Sequence, residues 1–162
     1  MHPRLSFFIM IRSTLCYIEH NGKYLMLHRI KKNEDVNAGK WIGIGGKLEE
    51  GETPEECLLR EVREETGLLL IDYRFCGEVH FLNDVYPNEL MYLYTASKFT
   101  GDITECNEGV LAWIDKDKVT SLPMWEGDKV FFELMEKENL PFKLVLNYSG
   151  DDLLSYEWTP IH

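Results

Sequence analysis

Three carboxylates fall within five residues in the run Arg60-Glu61-Val62-Arg63-Glu64-Glu65. On a helix, Glu61 and Glu65 are four apart and Glu61 and Glu64 three apart, so all three acids share a face. Like charges at that spacing repel: with oxygens about 5 Å apart, each pair costs roughly 3 kcal/mol at an effective dielectric near 20. A divalent cation removes that cost, and ligands that are all oxygen suit hard ions such as Mg²⁺ or Mn²⁺. The competing reading is a solvated acidic face neutralised by Arg60 and Arg63.

The residues before this run predict the helix that carries it. Thr53-Pro54-Glu55-Glu56 offers an N-cap threonine, a proline at the first helical position and a glutamate three residues after the cap. Gly67 stands where a left-handed residue would end the helix. The expected span is 54–66, about three and a half turns, with Leu58, Leu59 and Val62 as the stripe turned to the core.

The rest of the chain reads as alternating strands and a second helix. Residues 11–19 and 23–30 are rich in β-formers and flank His20-Asn21-Gly22, a hairpin signal. Residues 31–40 are polar and aperiodic, hence a loop. Trp41-Ile42-Gly43-Ile44 reads as a short strand entering Gly45-Gly46-Lys47, where glycines let the backbone approach a ligand closely. Further strands are expected at 68–82, kinked near Cys76-Gly77, and at 90–99, 110–114, 142–148 and 152–158. A polar helical turn is expected at 115–121, and Val130, Phe131, Leu134 and Met135 are spaced for a helix over 128–138. This order makes a mixed α/β layered domain.

From Gly46 to Leu68 the chain carries Gly46, Glu52, Arg60-Glu61-Val62, Glu64-Glu65 and Gly67-Leu68 at fixed spacing. This resembles the Nudix box, G-x5-E-x7-R-E-U-x-E-E-x-G-U with U a bulky aliphatic residue, without departure. The resemblance implies an α/β; Nudix fold, an α/β/α sandwich with a mixed β-sheet. It also implies a single domain over 1–162 that hydrolyses nucleoside diphosphates linked to another moiety with Mg²⁺, or Mn²⁺ in its place. Position by position, Glu61, Glu64 and Glu65 match the metal-binding acids, and the Gly45 carbonyl matches a further ligand. Glu52 and Arg60 match a structural ion pair, and Lys47 has a placement suited to meeting phosphate. Outside the box, Arg29 resembles a phosphate-binding cation, and Glu108 resembles the distant acid that completes the metal site.

Pro123-Met124-Trp125-Glu126-Gly127-Asp128 resembles the purine-recognition segment of MutT-type 8-oxo-dGTP diphosphatases, with Trp125 stacking and Asp128 reading the base edge. Two departures weaken base specificity. Gly127 stands where the mammalian-type enzymes carry a second acid, and Ile42 stands where they carry an asparagine. The alternative for Trp125 is a staple that packs the start of the second helix. The expected activity is cleavage of 8-oxo-dGTP to the monophosphate and pyrophosphate, which cleanses the nucleotide pool. The alternatives are a Nudix hydrolase for another nucleotide, ADP-ribose or a diadenosine polyphosphate, and a silent nucleotide-sensing domain.

Bulk properties narrow the partners. Seventeen basic and 28 acidic residues leave a net charge of −11, which argues against a basic surface for polymeric nucleic acid. Cys16, Cys57, Cys76 and Cys106 have no metal-site spacing and read as reduced, packed thiols in the cytoplasm. No run approaches the roughly 18 apolar residues of a membrane span. Residues 5–11 read as a first strand or as an extension upstream of Met10. His28 and His80 read as strand residues rather than catalysts.

Overall fold

Asn21 and Gly22 take positive φ (51° and 73°) and turn β1 (Ile11–His20) into antiparallel pairing with β2 (Lys23–His28). The sequence signal for a tight hairpin therefore forms one. The computed structural model describes residues 10–31 and 36–162, so the apolar run at 5–9 and part of the expected loop lie outside the described residues.

The short run at 41–47 divides in two at Gly43. β3 (Trp41–Ile42) pairs with β2, whereas β4 (Ile44–Lys47) pairs with β1. α1 (Pro54–Thr66) has the expected bounds and a full capping box: Thr53 Oγ1 accepts from the Glu56 amide, and the Glu56 carboxylate accepts from the Thr53 amide. Gly67 closes it in the left-handed region (φ 81°), its N–H donating to the Arg63 carbonyl.

β5 (Leu69–Asn83) and β6 (Glu89–Thr100) follow as a long antiparallel pair. Their register shifts between Phe75 and Gly77, where the sequence places a kink. β7 (Val110–Asp115) pairs with β2 and leads into a 3₁₀ turn at Val119–Ser121. α2 runs over Glu126–Glu136, two residues earlier than expected. The helix starts early because the Asp128 amide already closes a turn on the Trp125 carbonyl, and it stops early because Glu138 takes φ 60°. β8 (Phe142–Ser149) and β9 (Asp152–Pro160) form a closing hairpin.

The nine strands make one mixed sheet in the order β3-β2-β1-β6-β5-β8-β9, with β4 on β1 and β7 on β2. β1/β6 and β5/β8 are the parallel pairs. Side chains alternate across β1, and the core divides accordingly. Leu15 and Tyr17 join Phe131, Leu134 and Met135 of α2, while Cys16 and Ile18 join Leu58 and Val62 of α1. One helix covers each face, which is the α/β/α layering expected. The four cysteines are free and buried. Among the described residues, no helix is long and apolar enough to cross a membrane.

Phe131 anchors the α2 face. It is fully buried and meets the Tyr17 and Phe132 rings at 5.7 and 5.4 Å between centroids. Phe131→Ala is expected to cost about 3–5 kcal/mol through the cavity it leaves, measured by urea unfolding. A loss below about 1 kcal/mol would mean that α2 is not fastened to the sheet through this ring.

Candidate active site

Arg60 holds the acidic end of α1 in place. Its Nε and Nη2 donate to the two Glu52 carboxylate oxygens at 2.7 and 2.8 Å, and Nη2 also donates to the Lys47 carbonyl at 3.2 Å. The fork-to-fork geometry holds the Glu52 carboxyl down to about 2. The ion pair expected from the sequence is therefore formed. Arg60 Nη1 continues to Glu61 at 2.7 Å and to Glu64 at 3.2 Å. Over this end of the helix lies Gly46, where an added Cβ would fall 2.5 Å from the Glu61 carboxyl carbon. The glycine is required by close packing against a protein carboxylate, where the sequence suggested close approach of a ligand.

A cavity of about 620 Å³ opens beside this corner, and Arg29, Gly45, Lys47, Glu61, Glu65 and Glu108 all line it. Glu64 does not. Its side chain is 59% exposed and turned along the helix surface to Arg60. The helix itself explains the separation: at about 100° per residue, Glu65 lies some 40° from Glu61, whereas Glu64 lies some 60° away on the other side. The shared acidic face is thus split into two acids inside the cavity and one at its exterior.

Glu65 is the most enclosed of the three acids Glu61, Glu64 and Glu65. Burial pushes its carboxyl well above the usual range, and the neighbouring Glu108 and Glu61 push it further. Its Oε2 accepts from the Gly45 N–H at 3.2 Å, so the amide of Gly45 is the group seen bonding this cluster, not the carbonyl. Glu108 receives Arg29 Nη1 at 2.7 Å. Among the described residues, no three acids converge into a ready cation cage. Glu61 is turned to Arg60, Glu108 to Arg29 and to Glu65, and Glu65 also to the Gly45 amide. The donor set is oxygen only, and its crowded negative charge suits a hard divalent cation. Holding one would exchange these partners for it.

Trp125 and Asp128 line the same cavity. Trp125 is only 7% exposed and does two jobs, as wall and as core. Phe81, Tyr86 and Tyr148 stand edge-on to its ring, and Lys40 Nζ lies 4.4 Å from the ring centroid. Its Nε1 donates to Asn37 Oδ1 at 2.7 Å. Asn37 and Lys40 belong to the polar loop, which gave no periodic signal in the sequence.

Asp128 is 5% exposed, and burial raises its carboxyl to about 8, partly offset by Lys40. Gly127 has a steric reason. A Cβ there would meet Leu146 Cδ1 at 2.5 Å and the Tyr148 hydroxyl at 2.7 Å, and its N–H donates to that hydroxyl. Tyr148 fills the space a second acid would need. Ile42 also lines the cavity and offers no polar group.

His28 stacks on Trp41 at 4.4 Å between centroids, and burial lowers the half-buried His80. Neither lines the cavity. Among the lining residues without a signal in the sequence are an acid and a hydroxyl that meet each other. Glu89 opens β6, and Ser13 lies in β1; the contact depends on strand pairing, which no local motif reveals.

The buried Asp128 carboxyl sets a pH dependence. The folded protein keeps a proton that the unfolded chain releases near pH 4, so this group's burial costs stability increasingly as pH rises from about 4 to about 8. Asp128→Asn is expected to gain thermal stability relative to the parent across that window, by about 3 °C or more at pH 8 for each kcal/mol recovered. Melting curves from pH 4.5 to 8.5 check this. A difference independent of pH would show that Asp128 is not held protonated.

A sequence model of the NUDIX domain matches residues 10–135. The chain is similar to the Nudix hydrolase YvcI of Bacillus subtilis, with 31% identity over 157 residues covering 93% of this chain and 96% of the relative. It is 33% identical over 143 residues to the oxidized purine nucleoside triphosphate hydrolase of Danio rerio, covering 87% and 88%. Among solved structures, the MutT protein of Bacillus halodurans superposes with a TM-score of 0.81 at 28% identity, over 94% of this chain and 100% of that one. With the box at Gly46–Leu68, the two-helix layering and the acid-lined cavity, these matches assign the chain to the Nudix hydrolase family.

Proposed function

We propose that this Nudix hydrolase cleaves oxidised purine nucleoside triphosphates, 8-oxo-dGTP foremost, to the monophosphate and pyrophosphate, and so cleanses the nucleotide pool. One observation carries the reading. A single cavity is lined by the acids Glu61, Glu65 and Glu108 and by a buried Asp128, whose carboxyl burial raises to about 8, beside Trp125. The first group suits a metal-bound triphosphate and the second a purine. The relatives named as oxidized purine nucleoside triphosphate hydrolases support it.

In this reading the purine lies against the Trp125 wall. A neutral Asp128 carboxyl both donates and accepts, which matches a guanine-type edge that offers a carbonyl beside an N–H. Arg29 and Lys47 meet phosphate oxygens. A divalent cation, as Nudix hydrolases generally use and here Mg²⁺, would offset phosphate charge and acidify its bound water. Gly45, Glu61, Glu65 and Glu108 would hold it, with Glu64 at the exterior. One of these carboxylates takes the proton of the attacking water. The new P–O bond forms at the α- or β-phosphorus as the α–β bridging P–O bond breaks, releasing the monophosphate and pyrophosphate. The four free, buried thiols support a reducing, cytoplasmic setting.

A second reading follows from Gly127 and Ile42. With Tyr148 excluding a second acid and an apolar side chain at 42, only one acid reads the base. That arrangement favours a broader set of purine nucleoside triphosphates.

The deciding assay measures pyrophosphate against phosphate release from 8-oxo-dGTP, dGTP, dATP and ADP-ribose, with and without Mg²⁺. Metal-dependent pyrophosphate release with the highest kcat/KM for 8-oxo-dGTP is expected. Equal use of dGTP and dATP would select the second reading, and no metal-dependent turnover would move the silent sensing domain forward. Glu65→Gln should lose roughly a hundredfold or more in kcat while keeping the fold, with a melting temperature no lower than the parent's because a crowded acid is neutralised; full activity would remove Glu65 from the site. Trp125→Ala should lose about tenfold or more in kcat/KM on purine substrates. An equal loss on pyrimidine triphosphates would make Trp125 a core residue only.

A further inference from the structure

Glu89 begins β6, its backbone paired with Ile11 of β1 on one side and Phe81 of β5 on the other. Its side chain lines the cavity near the apolar Ile11, Pro87 and Met91. Ser13, which is 4% exposed, donates its hydroxyl to Glu89 Oε2 at 2.5 Å. Among the described residues, Ser13 is the only side chain hydrogen-bonded to Glu89, and Oε1 has no such partner. An ionised carboxylate offers about four acceptor positions, so Ser13 leaves most of them for a donor in the cavity.

The position along the cavity is defined by neighbours on both sides. Ser13 pairs across the β1–β4 ladder with Lys47, and Lys47 follows Gly46, which abuts Glu61. Two residues beyond Glu89 on the same strand face, Met91 packs against the cluster that contains Trp125. Glu89 therefore stands between the acid end and the aromatic end. A carboxylate at this place repels an anion such as phosphate and matches a neutral donor.

We propose that Glu89, oriented by Ser13, accepts a hydrogen bond from a sugar hydroxyl of the bound nucleotide and is a specificity-determining residue of this site. The inference rests on the nucleotide reading above. Of the parts of a nucleoside triphosphate, the phosphates are anionic and the base lies at Trp125 and Asp128. The sugar alone brings neutral O–H donors to the stretch between them. Glu89 acts on binding, so its effect falls on KM more than on kcat.

The test compares steady-state hydrolysis of dGTP and 2′,3′-dideoxy-GTP by the full chain with Mg²⁺, for the parent, Glu89→Ala and Glu89→Gln. The parent should prefer dGTP by at least fivefold in kcat/KM, through KM. Glu89→Ala should bring the ratio close to one. Glu89→Gln should keep most of it, because the amide oxygen still accepts. A parent ratio near one overturns the proposal, and that measurement stands even if Glu89→Ala does not fold. An equal loss on both substrates in Glu89→Ala, leaving the ratio unchanged, also overturns it. Failure of the parent to turn over either substrate or an 8-oxo-dGTP control refutes the nucleotide reading itself, an outcome distinct from turnover without discrimination.

Discussion

The fork of Arg60 is the contact on which the acidic corner depends. One guanidinium joins the Glu52 carboxylate, the Lys47 carbonyl, Glu61 and Glu64, and so ties the loop after β4 to the last turns of α1. Its planar array of donors reaches these acceptors together, which a lysine with a single ammonium does not reproduce. The Arg60 side chain is 23% exposed and Glu52 only 12%, so the pair is shielded enough from water to hold its geometry. Without the guanidinium, Glu52 and Glu61 would face each other across the loop as uncompensated acids. The loop that brings Gly46 down onto Glu61 would then lose its tether.

The same balance of charge extends through the cavity. The chain carries a net charge of −11, yet two of its cavity acids are matched locally, Glu61 by Arg60 and Glu108 by Arg29. Long-range attraction of a polyanionic substrate is therefore not the device in use. Short-range neutralisation is, and its strength comes from burial, since charges are screened less away from water. The protein cations Arg60 and Arg29 hold these two acids in place.

Legibility in the sequence followed the range of the interactions. The capping box of α1, its glycine stop and the Asn21-Gly22 hairpin are encoded by residues within a few positions of one another, and all formed as read. The Glu52–Arg60 pair was also readable, through the box. What could not be read depends on partners far along the chain. Glu64 was grouped with Glu61 and Glu65 because helical spacing alone does not say which side of the helix meets the sheet. The reason for Gly127 lies in Tyr148, 21 residues on, and that for Gly46 in Glu61, brought above it by the fold. The contact between Ser13 and Glu89 spans 76 residues and exists only because β1 and β6 run parallel side by side.

Two buried acids at different parts of one cavity are raised for the same first cause, burial, but their surroundings give them different chemistry. Glu65 is crowded by Glu108 and Glu61, so its protonation relieves repulsion among acids, and a cation can do the same. Asp128 has aromatic and aliphatic neighbours, with Lys40 as the opposing charge, so its proton is retained by poor solvation alone. A cation cannot be held by one acid in that setting, whereas a neutral donor–acceptor edge can be matched by it. Two chemically different acidic environments in one cavity therefore need no second domain and no change of residue type. They need only that α1 deliver its acids as a cluster and that α2 deliver a single one, which Tyr148 enforces by filling the place beside it.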